Sequence, residues 1–306
     1  MNILNFGSLN IDYVYRVDTF LEAGETKLSK DLNLFCGGKG LNQSIAMARA
    51  GNTVYHAGLL GEDGQMLRDM LEKNGVKLDF LKPVSGKSGH AIIQVADSGQ
   101  NCILLYGGTN QALTTEFIDS VLDSFGPDTM LLIQNELNLT DYIIEKAASR
   151  GIPVAMNAAP MDEKVLSYPI DKLTWLMVNE VEGRALSGAS ADEDIIPALT
   201  KRYPSVNILL TLGHRGSMCH YQGRTVACSA HHVHAVDTTA AGDTFNGYFL
   251  RGLLSGLSVE ECLERATTAS AVCVTRPGAS DSVPTASEVE EIIARGELGR
   301  LEIREI

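Results

Sequence analysis

The sequence has no Cys-x-x-Cys pair, few aromatic residues and no long apolar run. Its six cysteines are scattered along 306 residues, a pattern that argues against a zinc site or a disulfide framework. Apolar runs such as 130–133 fall far short of the ~20 residues that cross a bilayer. The first residues lack the basic region and apolar stretch of a secretion signal. We therefore expect a cytoplasmic protein with reduced thiols.

Basic residues are outnumbered by acidic ones, 25 against 38, which gives a formal net charge of −13. A field of this sign repels nucleic-acid backbones and anionic lipid. The content of 44% apolar and 21% charged residues is typical of a globular chain and excludes disordered or fibrous classes. We predict small-molecule partners, with neither nucleic acid nor membrane among them.

Short apolar runs alternate with helical stretches from about residue 110 onward, which is typical of a parallel sheet covered by helices. Strands are predicted at 129–134, 153–157, 173–178 and 206–211, and helices at 140–150 and 241–255. The first third differs, because its predicted strands lack helices of their own: 12–17, 28–35, 91–96 and 102–106. We predict one doubly wound α/β domain over 1–306, with a discontinuous β-sheet lid formed by 12–35 and 88–107.

The stretch 237–247, DTTAAGDTFNG, leads small residues straight into an apolar helical run. At the start of a helix, the backbone N–H groups from Ala240 to Asp243 would form a cradle for an anion, strengthened by the helix dipole. A carboxylate inside such a cradle is unfavourable unless it caps the helix or accepts a proton beside a transferring phosphoryl group. From this motif alone, both interpretations of Asp243 stay open.

Three glycines surround a lysine at 37–40, just before a predicted helix, and let the backbone approach a ligand closely. A Walker A motif needs Ser or Thr after the lysine, where this chain has Gly40. The first predicted strand does not lead into the G-x-G-x-x-G motif of dinucleotide-binding folds either. The sequence thus excludes a P-loop NTPase and gives no support to hydride transfer.

Polar residues follow several predicted strands at the edge where open sheets bind ligands. Asn10 and Asp12 are two residues apart, so in an extended chain they point to one side and could hold two adjacent hydroxyls. Glu136 and the Asn179-x-x-Glu182 pair follow other predicted strands. Each alone is more often a turn or a helix cap, but their coincidence at one edge favours a small-molecule site.

Four motifs occur in an order that resembles the PfkB carbohydrate kinase family: Gly37-Gly38-Lys39-Gly40 with Asn42, Asn179-x-x-Glu182, Thr211-Leu212-Gly213-x-x-Gly216 and Asp237-Thr238-x-x-Ala241-Gly242-Asp243. The resemblance covers nearly the whole chain. It implies transfer of the γ-phosphoryl group of ATP to a primary hydroxyl of a small sugar, with D-ribose the expected acceptor. The implied cofactors are ATP, Mg²⁺ and a monovalent cation, K⁺.

The resemblance also implies a role for individual residues. Asp243 would be the general base, and the amides of Ala240, Ala241, Gly242 and Asp243 would form the anion hole. The implied sugar contacts are Asn10, Asp12, Gly38, Lys39, Asn42, Glu136 and Asp243. The implied nucleotide contacts are Asn179, Thr211, Gly213, Gly216, Ala241 and Gly242, and Asn179 with Glu182 would organise Mg²⁺ through water. The implied K⁺ site consists of Asp237, Thr239, Cys273, Gly278 and Ser282.

Two residues depart from the family pattern: Ala240 stands where many relatives have glycine, and Asn135 precedes Glu136 where an apolar residue is common. The second departure leaves other acceptors open, namely a nucleoside, another pentose, or a ketohexose or its phosphate. A sugar- or nucleotide-binding protein without catalysis is the alternative of another class, and it would be expected to lack Asp243 or the adjacent glycine. Both are present.

Both faces of the last two lid strands carry apolar residues: Ile93, Val95, Ile103 and Leu105 alternate with Ile92, Cys102, Leu104 and Tyr106. A sheet with one solvated face should show polar residues there, so we predict a homodimer through the lid. His231, His232 and His234 cluster near a predicted strand. Because His232 and His234 alternate around Val233 without an adjacent carboxylate or cysteine, we interpret the cluster as a strand edge without a role.

Overall fold

Fourteen strands and nine α-helices make up the chain in a computed structural model that describes residues 1–306. The strands are β1 (Asn2–Phe6), β2 (Asn10–Val17), β3 (Asp31–Gly37), β4 (Val54–Leu60), β5 (Lys77–Pro83), β6 (Gly89–Ala96), β7 (Asn101–Tyr106), β8 (Thr129–Gln134), β9 (Val154–Asn157), β10 (Trp175–Asn179), β11 (Asn207–Thr211), β12 (Ser217–Tyr221), β13 (Arg224–Cys228) and β14 (Ile303–Glu305). The helices are α1 (Lys39–Arg49), α2 (Gln65–Lys73), α3 (Thr115–Leu122), α4 (Thr140–Ser149), α5 (Glu180–Ser187), α6 (Ile195–Arg202), α7 (Ala241–Leu254), α8 (Val259–Val274) and α9 (Ala286–Arg295).

Ten strands form the larger sheet, in the order β14-β13-β12-β11-β10-β9-β8-β1-β4-β5. Neighbours from β11 to β5 pair in parallel, while β12, β13 and β14 extend the sheet with antiparallel pairing. The carboxyl ends of the parallel strands therefore meet at one edge, where open α/β sheets bind their ligands. This confirms the predicted mostly parallel α/β fold.

Side chains along each buried strand point alternately to the two faces of the sheet, which divides the core into two layers. On β1, for example, Ile3 packs into one hydrophobic cluster and Leu4 into the other. Helices α1, α2, α7, α8 and α9 cover the first face, and α3 to α6 cover the second. Helices on both faces leave the carboxyl edge as the open side of the sheet. None of the helices combines the length and the apolar character that a membrane crossing requires.

A separate four-stranded sheet, in the order β3-β2-β6-β7, lies outside the large one and confirms the predicted small sheet. Its register pairs Asp12 with Phe35 on one side and with Ala91 on the other, and Ala91 with Leu105. Directly paired residues share a face, so these four side chains point to the same side of the sheet. The strand predicted over 28–35 begins only at Asp31, because β2 offers it partners no further than Arg16.

Helix α1 begins where the chain passes closest to the turn after β1. A Cβ atom on Gly40 would lie 2.2 Å from the amide nitrogen of Ser8 and 2.3 Å from Gly7. No other residue fits this contact, so the glycine-rich stretch packs against the protein's own backbone. In consequence the first turn of α1 is held at the carboxyl edge of the large sheet, beside β1.

Candidate active site

Asp243 lies in the first turn of α7 and is only 6% exposed. Its Oδ1 accepts a hydrogen bond from Gln43 Nε2 at 2.9 Å, and its Oδ2 accepts one from Asn42 Nδ2 at 3.2 Å. The N-cap of α7 is Ala240, and no side chain caps the helix. The capping interpretation of Asp243 is therefore wrong, and this buried carboxylate remains available as a proton acceptor.

Two amides in the first turn of α7 have no partner in the protein, whereas the amide of Ala241, expected in the anion hole, donates to a carbonyl of the preceding loop at 3.3 Å. Ala240 adopts a left-handed conformation with φ of 60°, and its carbonyl accepts the first helical hydrogen bond, from Thr244 at 2.8 Å. The N–H groups of Gly242 and Asp243 have no acceptor in the chain. Together with the helix dipole, these free donors can bind an anion. The strain of a positive φ explains why glycine would suit position 240.

Two cavities meet at this helix terminus, and both are lined by Thr211, Thr238, Ala241 and Gly242. The first has a volume of about 310 Å³ and is more apolar; its lining includes Gly213, His214, Gly216, His231, Val233 and Phe245. The second has a volume of about 240 Å³ and is polar; its lining includes Lys39, Asn157, Asn179, Glu182, Asp243 and Asn246. All residues expected to contact the nucleotide therefore line one cavity or the other. The arrangement suits a nucleoside in the first cavity and phosphates in the second.

Lys39 is surrounded by three carboxylates: Asp243, Glu136 and Glu182. Burial would lower the pKa of Lys39, but their negative charges outweigh burial and raise it above its ordinary value. The lysine therefore stays charged. Burial raises the pKa of Glu136, whose Oε2 accepts hydrogen bonds from the Lys39 amide at 2.9 Å and from Ser8 Oγ. A single ammonium group thus balances a cluster of buried acids.

Asp12 and Asn10 lie on β2, next to that cluster. Burial, and then the charge of Glu136, raise the pKa of Asp12 to about 7. Asn10 is buried, and its Oδ1 accepts a hydrogen bond from Asn110 Nδ2 at 2.8 Å. Gly38, with φ of 93°, precedes α1. The expected sugar contacts therefore gather around the first turn of α1, between β2 and α7.

Asn179 and Glu182 form a capping box at the start of α5. Asn179 Oδ1 accepts from the amides of Val181 and Glu182 at 2.9 Å each, and Glu182 accepts from the Asn179 amide at 2.9 Å. These two residues can therefore cap the helix and also serve a ligand site, because the capping hydrogen bonds hold the Glu182 carboxylate at the polar cavity. No three His, Cys, Asp or Glu side chains are arranged as a metal cage. Mg²⁺ bound to phosphates needs only one or two carboxylates, and often keeps water ligands.

The five residues expected to hold K⁺ are neighbours in the structure. Asp237 accepts hydrogen bonds from the amides of Thr239 at 2.9 Å and Gly278 at 3.0 Å. Burial would raise the pKa of Asp237, but these hydrogen bonds hold it below its ordinary value. The Cys273 thiol contacts the Thr239 carbonyl at 3.8 Å and Ser282 Oγ at 3.0 Å. One carboxylate, one carbonyl oxygen and one hydroxyl therefore lie near one another directly before the α7 terminus.

Several residues at the site escape sequence-based reasoning. Ser8 and Asn110 orient Glu136 and Asn10 from distant parts of the chain. His231 lines the apolar cavity, where its Nδ1 contacts the Leu298 carbonyl at 3.0 Å. The interpretation of the histidine cluster as a strand edge is wrong, because β13 ends at Cys228 and an irregular segment follows. Val233 and Ala235, which lie on either side of His234, also line this cavity and could have signalled its wall.

Comparison with known proteins gives matches over nearly the whole chain. Residues 2–286 match the pfkB family carbohydrate kinase description. The chain is 34% identical to the ribokinase of Bacillus subtilis (strain 168) over 298 residues, which cover 96% of this chain and 99% of that one.

Two solved structures are similar along their whole length. The ribokinase of Cryptococcus neoformans var. grubii serotype A in complex with ADP has a TM-score of 0.83 and 34% identity, covering 95% of this chain and 99% of that chain. The Arabidopsis thaliana ribokinase complexed with ribose and ATP has a TM-score of 0.84 and 29% identity, covering 95% and 98%.

A doubly wound fold with a buried carboxylate in a polar cavity that adjoins a second, more apolar cavity, together with these matches, defines an ATP-dependent carbohydrate kinase. The chain belongs to the pfkB family of carbohydrate kinases.

Proposed function

We propose that this kinase phosphorylates D-ribose at its primary hydroxyl, with Asp243 as the general base. The observation that carries the proposal is the position of the Asp243 carboxylate: it is buried, it lines the polar cavity, and it lies beside amides that have no other acceptor. The similarity to ribokinases, one of them complexed with ribose and ATP, supports ribose as the acceptor. Measurement of ADP release with ribose, deoxyribose, fructose, tagatose and nucleosides tests it; a clear preference for any acceptor other than ribose would contradict it.

The reaction follows from this geometry. Asp243 accepts the proton of the attacking hydroxyl while the oxygen approaches the γ-phosphorus in line with the leaving oxygen of ADP. The amides of Gly242 and Asp243 bind the charge that gathers on the transferring group. Lys39, held charged by its acidic neighbours, adds positive potential from the polar cavity. Mg²⁺ on the phosphates, organised through water by Asn179 and Glu182, would neutralise further charge.

The sugar would lie between the first turn of α1 and the small sheet. Asp12 and Asn10 are suited to two neighbouring hydroxyls, and Asn42 and Glu136 to others, because amide and carboxylate oxygens accept hydroxyl hydrogens. The buried Oδ1 of Asn42 has no partner in the protein, which leaves it free for a ligand. In this proposal the small sheet acts as the lid: its Asp12 face covers the sugar and excludes water, which would otherwise compete as the phosphoryl acceptor.

Sugar affinity is expected to rise between pH 6 and pH 8. The pKa of Asp12 is raised to about 7, so the side chain is mostly protonated at pH 6 and mostly ionised at pH 8. Only the ionised form accepts hydrogen bonds at both oxygens, so Kd for ribose should fall by roughly tenfold across this range. Calorimetric titration at pH 6, 7 and 8 measures the change. Asp12→Asn should remove it; the same slope in that variant would assign the effect to another group, such as Glu136.

A monovalent cation beside the α7 terminus is part of the proposal. Asp237, Thr239, Cys273, Gly278 and Ser282 would hold K⁺ in preference to Na⁺, because mostly neutral oxygens suit a large, weakly charged ion. The cation would fix the loop before α7 and add positive potential behind the anion-binding amides. It would touch neither substrate.

The K⁺ site predicts a several-fold higher kcat/KM in KCl than in NaCl or tetramethylammonium chloride at equal ionic strength. Screening alone would make the three salts alike. Asp237→Asn should abolish the preference for K⁺, because the neutral amide removes the negative charge that attracts the cation. Equal rates of the unmodified enzyme in all three salts would refute it.

We also propose a homodimer through the face of the lid that points away from Asp12. On that face Leu104, Leu34 and Ile92 are 69%, 47% and 38% exposed, a large apolar surface for a monomer. Sedimentation should show a dimer at micromolar concentration, and Leu104→Glu should convert it to a monomer because the dimer would bury the new charge. A monomeric unmodified protein in the presence of ribose would overturn the proposal.

The location that we propose, the cytoplasm, agrees with six unpaired cysteines.

A further inference from the structure

A chain of buried amide side chains leads from Asp243 into the protein interior. Gln43 Nε2 donates to Asp243 Oδ1 at 2.9 Å and also to Asn157 Oδ1 at 3.0 Å. Gln134 Nε2 donates to Gln43 Oε1 at 2.7 Å and to Asn5 Oδ1 at 3.0 Å. Gln43, Gln134 and Asn5 are at most 1% exposed. Buried amides between two apolar layers are costly unless their hydrogen bonds are made, so this chain requires a reason.

Acceptors at both ends determine how each amide is oriented. At one end the Asp243 carboxylate can only accept, so Gln43 must present its NH₂ group there. At the other end the Gly40 carbonyl accepts from Asn5 Nδ2 at 2.8 Å, so Asn5 must present its oxygen to Gln134. The NH₂ group of Gln134 therefore donates to both of its neighbours, Gln43 and Asn5. Its own Oε1 is buried without a partner, a cost in stability that allows Gln43 to present its donor to Asp243.

Gln43 lines neither of the two cavities and is fully buried, so it can influence the reaction only through its neighbours. Asn42 holds the other oxygen of Asp243, and the two donors come from consecutive residues of one rigid helix. Two donors on the two carboxylate oxygens restrict rotation of the group. A lone pair is then directed at a constant angle, as proton transfer from a bound hydroxyl requires.

We propose that Gln43 is a positioning residue for phosphoryl transfer, which orients the Asp243 carboxylate and is itself oriented by Gln134. The inference rests on the proposed role of Asp243 as the general base. It adds a second layer of residues to the site. On α1, Asn42 and Lys39 lie on the ligand side of the Asp243 carboxylate, and Gln43 lies on the side of the protein interior.

Gln43→Met tests the inference, because it removes the NH₂ donor and nearly conserves side-chain length. We expect kcat to fall by about 10- to 100-fold while Kd for the sugar and KM for ATP change less than about threefold, since the lost interaction acts in the transition state. Gln134→Met should lower kcat by a smaller factor. The double variant should be no slower than Gln43→Met, because Gln134 acts through Gln43.

Asn207→Leu is the matched control: it removes a half-buried amide that donates to the Thr174 carbonyl at 2.8 Å, at the opposite edge of the sheet. It should lower the melting temperature without changing kcat. A Gln43→Met enzyme with more than half of the original kcat would overturn the inference. So would equal losses of kcat and sugar affinity, which would indicate a general loss of structure. If Gln43→Met does not fold, Gln134→Met decides, because a kcat equal to that of the unmodified enzyme would exclude a role for the buried amide side chains in orienting Asp243.

Failure of the proposed function has a different signature. If the unmodified protein has no sugar kinase activity, or if Asp243→Asn remains active, the role of Asp243 is wrong whatever Gln43 does. An active enzyme that requires Asp243 but not Gln43 contradicts only the present inference.

Discussion

Replacement of Asp243 by asparagine is expected to lower kcat by about 10²- to 10⁴-fold, because a general base is worth this factor in the transition state. The amide keeps the shape of the carboxylate but cannot accept the proton. The structure accommodates it, since the Asn42 amide can turn over and present its unpartnered Oδ1 to the new NH₂ group. The NH₂ group of Asn42 then faces the sugar, whose hydroxyls can accept as well as donate. Sugar affinity should therefore change little, and titration calorimetry alongside steady-state kinetics separates the two quantities.

Asp141→Asn is a suitable control, because Asp141 also lies in the first turn of a helix, α4, but does not line either cavity. It should leave kcat unchanged. More than about a tenth of the original kcat in Asp243→Asn would remove the residue from its role as base.

Gly242→Val is expected to reduce kcat/KM for ATP by about 10²-fold or more, comparable to the loss of a donor from an oxyanion hole. Gly242 lines both cavities, and a Cβ atom there would meet no atom within 4 Å. The fold should therefore tolerate the branched side chain, which would occupy the junction between nucleoside and phosphates. Ribose binding should persist, since the expected sugar contacts lie on the α1 side.

Gly126→Val provides the comparison, because a Cβ atom there would meet only Asp128 Oδ1, at an ordinary contact distance of 3.7 Å, and Gly126 lies in the loop before β8, away from the site. It should keep full activity. If Gly242→Val stays within about threefold of the original kcat/KM, the junction of the cavities is not where the phosphates bind.

Periodicity in the sequence was sufficient to predict most strands of the large sheet, but not its two edge strands, β5 and β14. The strand at 129–134 was predicted with the observed bounds, because a buried parallel strand is a short continuous apolar run between polar breaks. The small sheet was also predicted, but the start of β3 was not. Its first residue is determined by pairing with β2, and no local pattern encodes that pairing.

The candidate site was predictable only where chemistry and local motif coincide. Gly242 and Asp243 belong to a motif that forms a helix terminus, so their position at that terminus could be inferred from adjacent residues. Gln134 could not be interpreted in this way, because a polar residue at the end of a strand usually forms a turn or cap. Its position in a buried hydrogen-bond chain depends on Asn5 and Gln43, which are distant in sequence.

The register of the small sheet has a consequence for engineering a new acceptor. In the proposed sugar site, the floor would be the first turn of α1, where the contact between Gly40 and the turn after β1 admits no side chain. The roof of that site would be Phe35, Ala91 and Leu105 on the Asp12 face, and two of these, Phe35 and Leu105, are exposed at 45% and 49%. Exposed side chains can be exchanged at little expense to folding. A library directed at the roof would therefore explore new sugars while the floor preserves the catalytic machinery.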